Sequence, residues 1–323
     1  ARPRGRRLLA AWAGTAVRAV LIGLLGLTIG LFVGTDVTHV ILPYYAALFV
    51  LAIPFLRLPP RALAALALIT AVAGPVFSHL MRQGLPTLDP VNLSFVVLAS
   101  DPVRVARDVL LTGVYPAIPW MTYLLAGMAI GRLRLRRALS VVLTIAGAVL
   151  ALLASIGSSI AMNQLGGLQA IADVAQQSMS LREFTSLLVW GAEGTLPTTS
   201  WWWLAVLAPH TTTPFDLLFT LGVSVAVIGA ALMAGFVIPF AVRPFAIIGS
   251  MPLTMYTMHL ALTTVPVLPH GELGFWIQLA ILALFALVWS RFATRGPLEA
   301  IIAAVTQPVR KAVAGPQPRR LAE

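Results

Sequence analysis

The sequence has no cysteine, one lysine (Lys311) and, in 323 residues, only eleven Asp and Glu. Without cysteine there is no disulfide, no thiolate nucleophile and no thiolate metal ligand. Charged residues make up 10% of the chain, against about 25% in a typical soluble domain. With 59% hydrophobic residues and a mean hydropathy of +0.91, a soluble globular domain is excluded. The apolar stretches are continuous rather than alternating, which excludes a membrane β-barrel. There is no glycine-rich phosphate loop, no dinucleotide fingerprint, no HExxH and no GxSxG. An ATP-driven pump and a hydrolase of the soluble type are therefore not expected. Nor is a metal site, since no His or carboxylate set has ligand spacing; Asp36 and His39 alone are too few. Few carboxylates fall inside the apolar stretches, which argues against proton-coupled transport.

What the sequence does have is a series of stretches long enough to span a bilayer. They cover residues 8–33, 37–56, 62–81, 116–130, 138–161, 215–240, 245–265 and 275–292. The fold class is all-α: a polytopic helical membrane bundle of about eight transmembrane helices. Residues 162–214 read as an outer interfacial segment and 293–323 as a cytoplasmic tail. Alternating the turns between two sides puts most of the 22 basic residues on one side, in clusters such as Arg132, Arg134, Arg136 and Arg137. Asp36, Asp89, Asp101, Asp108, Asp173, Glu183, Glu193, Asp216 and Glu272 fall on the other side. The positive-inside rule then places both termini in the cytoplasm. The net charge of +11 is thus membrane topology, matched to an anionic inner leaflet, and not a nucleic-acid surface. The Arg-over-Lys and Ala-rich bias points to a GC-rich bacterial genome, and so to a bacterial inner membrane with membrane lipids as surroundings.

Local signals refine this. Gly26, Gly30 and Gly34 are spaced by four, which lets helices approach closely. Asp36 is placed to cap the second span, with His39 in its first turn. Asp101 or Ser100 caps a short helix opened by Pro102, and Ser180 with Glu183 forms a capping box. Trp201, Trp202 and Trp203 suit an interfacial helix.

The stretch with the clearest chemical content is GSMPLTMYTMHL, Gly249 to Leu260. An ionisable residue in a membrane-length segment is a functional candidate by default. Tyr256 and His259, three apart, share a helical face. The alternative for His259 is a hydrogen bond to a neighbouring helix that only helps packing. Arg18, halfway along the first span, must snorkel or pair inside the bundle. His210, between Pro209 and Thr211, reads equally as a loop residue capping a helix end.

Five stretches in order resemble the bacterial members of the heparan-α-glucosaminide N-acetyltransferase-like family. They are ILPYYAALFVLAIPFLRL (41–58), YPAIPWMTYLLAGMAIGRLRL (115–135), WWWLAVLAPHTTTPFDLL (201–218), GSMPLTMYTMHL and RGPLEAII (295–302). The resemblance implies transfer of an acyl group from a cytoplasmic acyl-CoA, acetyl-CoA in the family, to a sugar or lipid acceptor on the outer side. On that reading His259, His39 and Tyr256 are the candidate catalytic residues. Arg18, Tyr44, Tyr45, Trp120, His210 and Asp216 are candidates for substrate binding. Family members open with two further spans that carry the His regarded as catalytic. This chain, which begins with Ala, starts after them, so that residue has no position here. The competing expectation is a non-catalytic membrane subunit that binds lipid or a membrane-protein partner.

Overall fold

The structure, a computed structural model, describes residues 5–35, 37–85, 90–192, 195–269 and 271–315. Asp36, Asp89, Glu193 and His270 lie outside the described residues. The described chain is helical, without a strand. Its helices are α1 (Arg6–Ile29), α2 (Leu42–Ala52), α3 (Pro60–Met81), α4 (Phe95–Ser100), α5 (Pro102–Arg107), α6 (Ala117–Ile130) and α7 (Arg137–Ser159). There follow α8 (Gly167–Ala175), α9 (Leu181–Trp190), α10 (Pro214–Val237), α11 (Pro239–Gly249), α12 (Pro252–Thr263), α13 (Gly271–Trp289) and α14 (Pro297–Ala314).

Five elements are long and apolar enough to cross a membrane: α1, α3, α7 with its π-helical extension to Gln164, α10 and α13. Two bent pairs bring the number to seven, with bends of 53° before α6 and 68° between α11 and α12. The eighth stretch is shorter, α2 continued by a 3-10 turn to Arg57. This is a multi-pass membrane protein.

The closest packing is between α7 and α10, and glycine permits it. A Cβ on Gly147 would lie 2.4 Å from the Ala226 nitrogen, and one on Gly222 would lie 2.5 Å from the Ala151 nitrogen. On α1, a Cβ at Gly26 would strike Leu42 and Pro43, and one at Gly30 would strike the Leu93 carbonyl. The four-residue spacing therefore serves helix packing only at Gly26, against α2; Gly30, the C-cap of α1, meets the loop carbonyl of Leu93. Gly34 lies beyond the helix in the following turn. Around these contacts α3 packs on α6, α1 on α2 and α14, and α12 on α13 and α14. The core between α2, α3, α6 and α10 centres on Leu63, Ala117, Leu125 and Leu221.

Several expectations are corrected. The second span starts at Leu42, not at Val37, so His39 is in a loop rather than a first helical turn. Pro43 sits in the first helical turn, where its missing N–H is not needed. The preceding loop is held instead by Asn92. Its amide donates to the Val33 and Thr38 carbonyls and accepts from the Val40 N–H, each at 2.8 Å. The stretch 245–265 is not one continuous helix, because the chain breaks at Ser250–Met251. Pro252 drives Met251 out of the helical region (φ −132°, ψ 53°).

The Trp block is a 3-10 turn, not an interfacial helix. Trp203 is 1% exposed at the centre of a satellite core with Ile171 and Leu196. Trp201 packs against the buried His79 ring, with centroids 4.7 Å apart. The caps follow their sequence signals. Asp101 accepts from the Arg104 N–H at 2.8 Å, and Ser180 with Glu183 closes a capping box.

Candidate functional site: a cavity between α2, α6 and α10

Between α2, α6 and α10 lies a cavity of about 800 Å³. Of the residues singled out in the sequence, Tyr45, Trp120, His210 and Asp216 line it. Residues distant in the chain are brought together because α6 and α10 both begin at the same end of the bundle. Tyr123, nearly two turns into α6, and Thr220, nearly two turns into α10, line the same cavity.

Asp216 is 8% exposed. The start of α10 supplies its partners: its carboxylate accepts from the Thr212 N–H at 2.8 Å and from the Thr220 hydroxyl at 3.2 Å. A carboxylate offers about four lone-pair sites, so acceptor capacity remains on the cavity side. A negative charge is also favoured in the first turn of a helix. Thr213, not His210, caps α10, accepting from the Asp216 N–H at 3.1 Å. His210 is instead exposed beside the cavity, its ring edge-on to Tyr115 at 5.8 Å. Both His210 (φ 57°) and Thr212 (φ 55°) lie in the left-handed region. That conformation is an outlier for a β-branched residue, and such strain clusters where a loop positions functional groups.

An aromatic chain leads away from the cavity. Trp120 meets Tyr123 (5.3 Å) and Tyr115 (5.1 Å), and Tyr115 meets Tyr44 (5.5 Å), all edge-to-face. Tyr44 is 5% exposed, so it supports the wall rather than lining it. Tyr256, on α12, reaches the start of α2. Its hydroxyl accepts from the Ile41 N–H at 3.0 Å, at the start of α2. His39 lies two residues before Ile41, half-buried in the same loop. Arg18 is exposed on α1, with its guanidinium carbon 6.0 Å from the centroid of Phe49, and Phe49 lines the cavity.

The structure does not bring His259 to this place. Its Nδ1 lies 2.9 Å from Gln278 Oε1 on α13. Tyr256 and His259 thus have different neighbours although they are one turn apart. From the sequence Tyr123 reads with Trp120 as part of an aromatic belt and not as a site residue, and Thr220 and Ser224 look like ordinary residues of an apolar span. The one available signal was that Thr220 and Ser224 are four apart on one helical face.

The catalytic domain model of heparan-alpha-glucosaminide N-acetyltransferase matches residues 3–164. The match covers half of the chain, and the chain belongs to that family of membrane acetyltransferase-like proteins. The matched region contains Arg18, His39, Tyr44, Tyr45 and Trp120. His210, Asp216, Tyr256 and His259 lie beyond it. No curated protein and no solved structure matches the chain.

Proposed function

We propose that the protein is an acyltransferase that moves an acyl group from an acyl-CoA, acetyl-CoA by family, to a hydroxyl or amine of a sugar or lipid acceptor at the outer face of a bacterial inner membrane. The carrying observation is the cavity in which His210, Asp216, Trp120 and Tyr45 converge. Ionisable groups are costly among membrane-length helices, and here they line a space large enough for a substrate.

In this reading His210 accepts the proton of the acceptor hydroxyl or amine as that group attacks the thioester carbonyl. A C–O or C–N bond forms, the C–S bond breaks, and the proton passes to the departing thiolate. Asp216 orients the acceptor and stabilises the protonated imidazole. Arg18, touching the cavity wall through Phe49, holds a phosphate of the donor. Tyr256 and His39 shape the start of α2. His259 fastens α12 to α13.

The test uses protein in vesicles, a labelled acyl-CoA and an amino-sugar acceptor, with thiol release and product both measured. His210→Ala and Asp216→Asn should lower transfer by roughly 100-fold or more, the usual worth of a positioned acid–base group. His259→Ala should retain most of it. Loss on His259→Ala with retention on His210→Ala would move the base to α12. A wild-type protein that consumes no acyl-CoA and co-purifies with a membrane partner would support the non-catalytic alternative.

A further inference from the structure

The cavity is graded from end to end, and the gradient is informative. Most of its polar side chains, His210, Asp216, Thr220 and Tyr45, lie towards the end where α10 begins, with Ser224 one turn further in. Its far end is apolar, with Met128 and Ile130 on α6 and Val225 and Ile228 on α10. From Asp216 to Ile228, at ~1.5 Å per helical residue, it runs for about 18 Å. That is more than half of a hydrocarbon core of about 30 Å. A free sugar would use the polar end and leave the remainder to water against hydrocarbon walls, which is unfavourable. Gly127 adds a second observation: a Cβ there would meet nothing within 4 Å, so the cavity is open along α6 as well.

We infer that the acceptor is amphipathic: its reactive sugar or amine group sits at Asp216 and His210, and a single hydrocarbon chain lies along α6 and α10 towards Ile130 and Ile228. This deepens the acyltransferase reading and rests on it for the identity of the reacting group. The chain binding itself depends only on the cavity. Asp216, 8% exposed with acceptor capacity to spare, selects a head group with hydroxyl or ammonium donors.

Two acceptors separate tail from head: dodecyl α-glucosaminide and methyl α-glucosaminide. Wild-type protein should prefer the dodecyl compound. Gly127→Phe on α6 and Ser224→Phe on α10, which block the way from the polar end to the apolar end, should reduce that preference about tenfold or more, as expected when two or more methylenes lose their burial. Gly235→Phe, the same enlargement in α10 away from the cavity, should not, and melting temperatures identify any variant that fails to fold. Binding is read separately. A diazirine-bearing phosphatidylethanolamine, in vesicles of phosphatidylethanolamine and phosphatidylglycerol, should label residues 124–130 or 221–228, and either plug should remove the label. Labelling without acyl transfer would sink the acyltransferase reading and leave the chain site standing. Transfer with equal use of both acceptors, no label in these segments and no effect of the plugs would overturn the chain site.

Discussion

Glu299 caps a helix that begins 47 residues before it, at Pro252, through Leu253 and Thr254. The Thr254 hydroxyl donates to Glu299 Oε2 at 2.5 Å, and the Leu253 and Thr254 N–H groups donate to Oε1 at 2.7 and 3.2 Å. In return the Leu298 N–H donates to Thr254 Oγ at 3.1 Å. The break at Ser250–Met251 exposes the first N–H groups of α12, and a carboxylate from α14 satisfies them. Gly296 makes this approach possible: a Cβ there would lie 2.6 Å from Met251 Cβ and 2.7 Å from Thr254 Oγ. Two stretches that carry the family resemblance, GSMPLTMYTMHL and RGPLEAII, are therefore one structural unit.

Removing that carboxylate should destabilise the protein more than an ordinary surface change does. Glu299→Ala leaves partly buried donors without partners and should cost about 1–3 kcal/mol. Thermal unfolding in detergent, combined with Thr254→Val in a double-mutant cycle, checks it. A coupling energy below about 0.5 kcal/mol would contradict the cap.

Asn92 tests the loop before α2. Asn92→Ala should cost about 1–3 kcal/mol, since three backbone groups lose their partner. Asn92→Asp should be at least as damaging. It keeps the acceptor for Val40 but turns an oxygen towards the Val33 and Thr38 carbonyls, which need a donor. An Asp variant as stable as wild type would show that the amide donors are not used.

At the α7–α10 contact there is no room for a side chain. Gly222→Leu should cost about 3 kcal/mol or more, or prevent folding, because backbone lies where the side chain must go. Gly235→Ala, in the same helix with nothing within 4 Å, should be neutral or stabilising by about 0.5–1 kcal/mol. Expression level and melting temperature of the pair decide the matter. Equal effects would mean that the helices are not packed at this distance.

A pH dependence is expected at the start of α9. Hydrogen bonds from the Ser180 backbone and hydroxyl hold the Glu183 carboxyl below the usual glutamate range. A depressed folded value means the cap contributes fully above the unfolded value and is lost as pH falls through the folded one. The protection of amides 181–185, measured against the intrinsic exchange rate at each pH, should therefore fall in mild acid. Ser180→Ala should show low protection at every pH. A wild-type segment whose protection does not change across that range would refute the box.

Much of the candidate site could be read from the sequence, but not its assembly. Tyr45, Trp120, His210 and Asp216 stood out because polar or aromatic groups are conspicuous at the ends of apolar spans. Nothing in their spacing reveals a shared cavity, because they come from three helices and a loop. His259 stood out for the same reason, yet it faces Gln278. A period of 3.6 gives a residue its face but does not say which neighbour that face meets. Glu299 and Asn92 were silent in the sequence, since one Glu after Pro297 and one Asn in a loop read as ordinary local caps.

The sequence by itself determined the all-helical membrane class, the order of the apolar segments and the local caps at Asp101 and Ser180. Each depends on composition or on contacts within four residues. Only the tertiary structure decided where the second span starts, what receives the N–H groups freed by the break before Pro252 and which polar residues meet. Those outcomes turn on groups far apart in the chain: the Asn92 amide on residues 33–40, the Glu299 carboxylate on α12, and the cavity that brings Tyr123 of α6 beside Asp216 and Thr220 of α10. Inside a membrane every backbone group needs a partner in the protein, so such distant bonds settle the boundaries that local propensity leaves open.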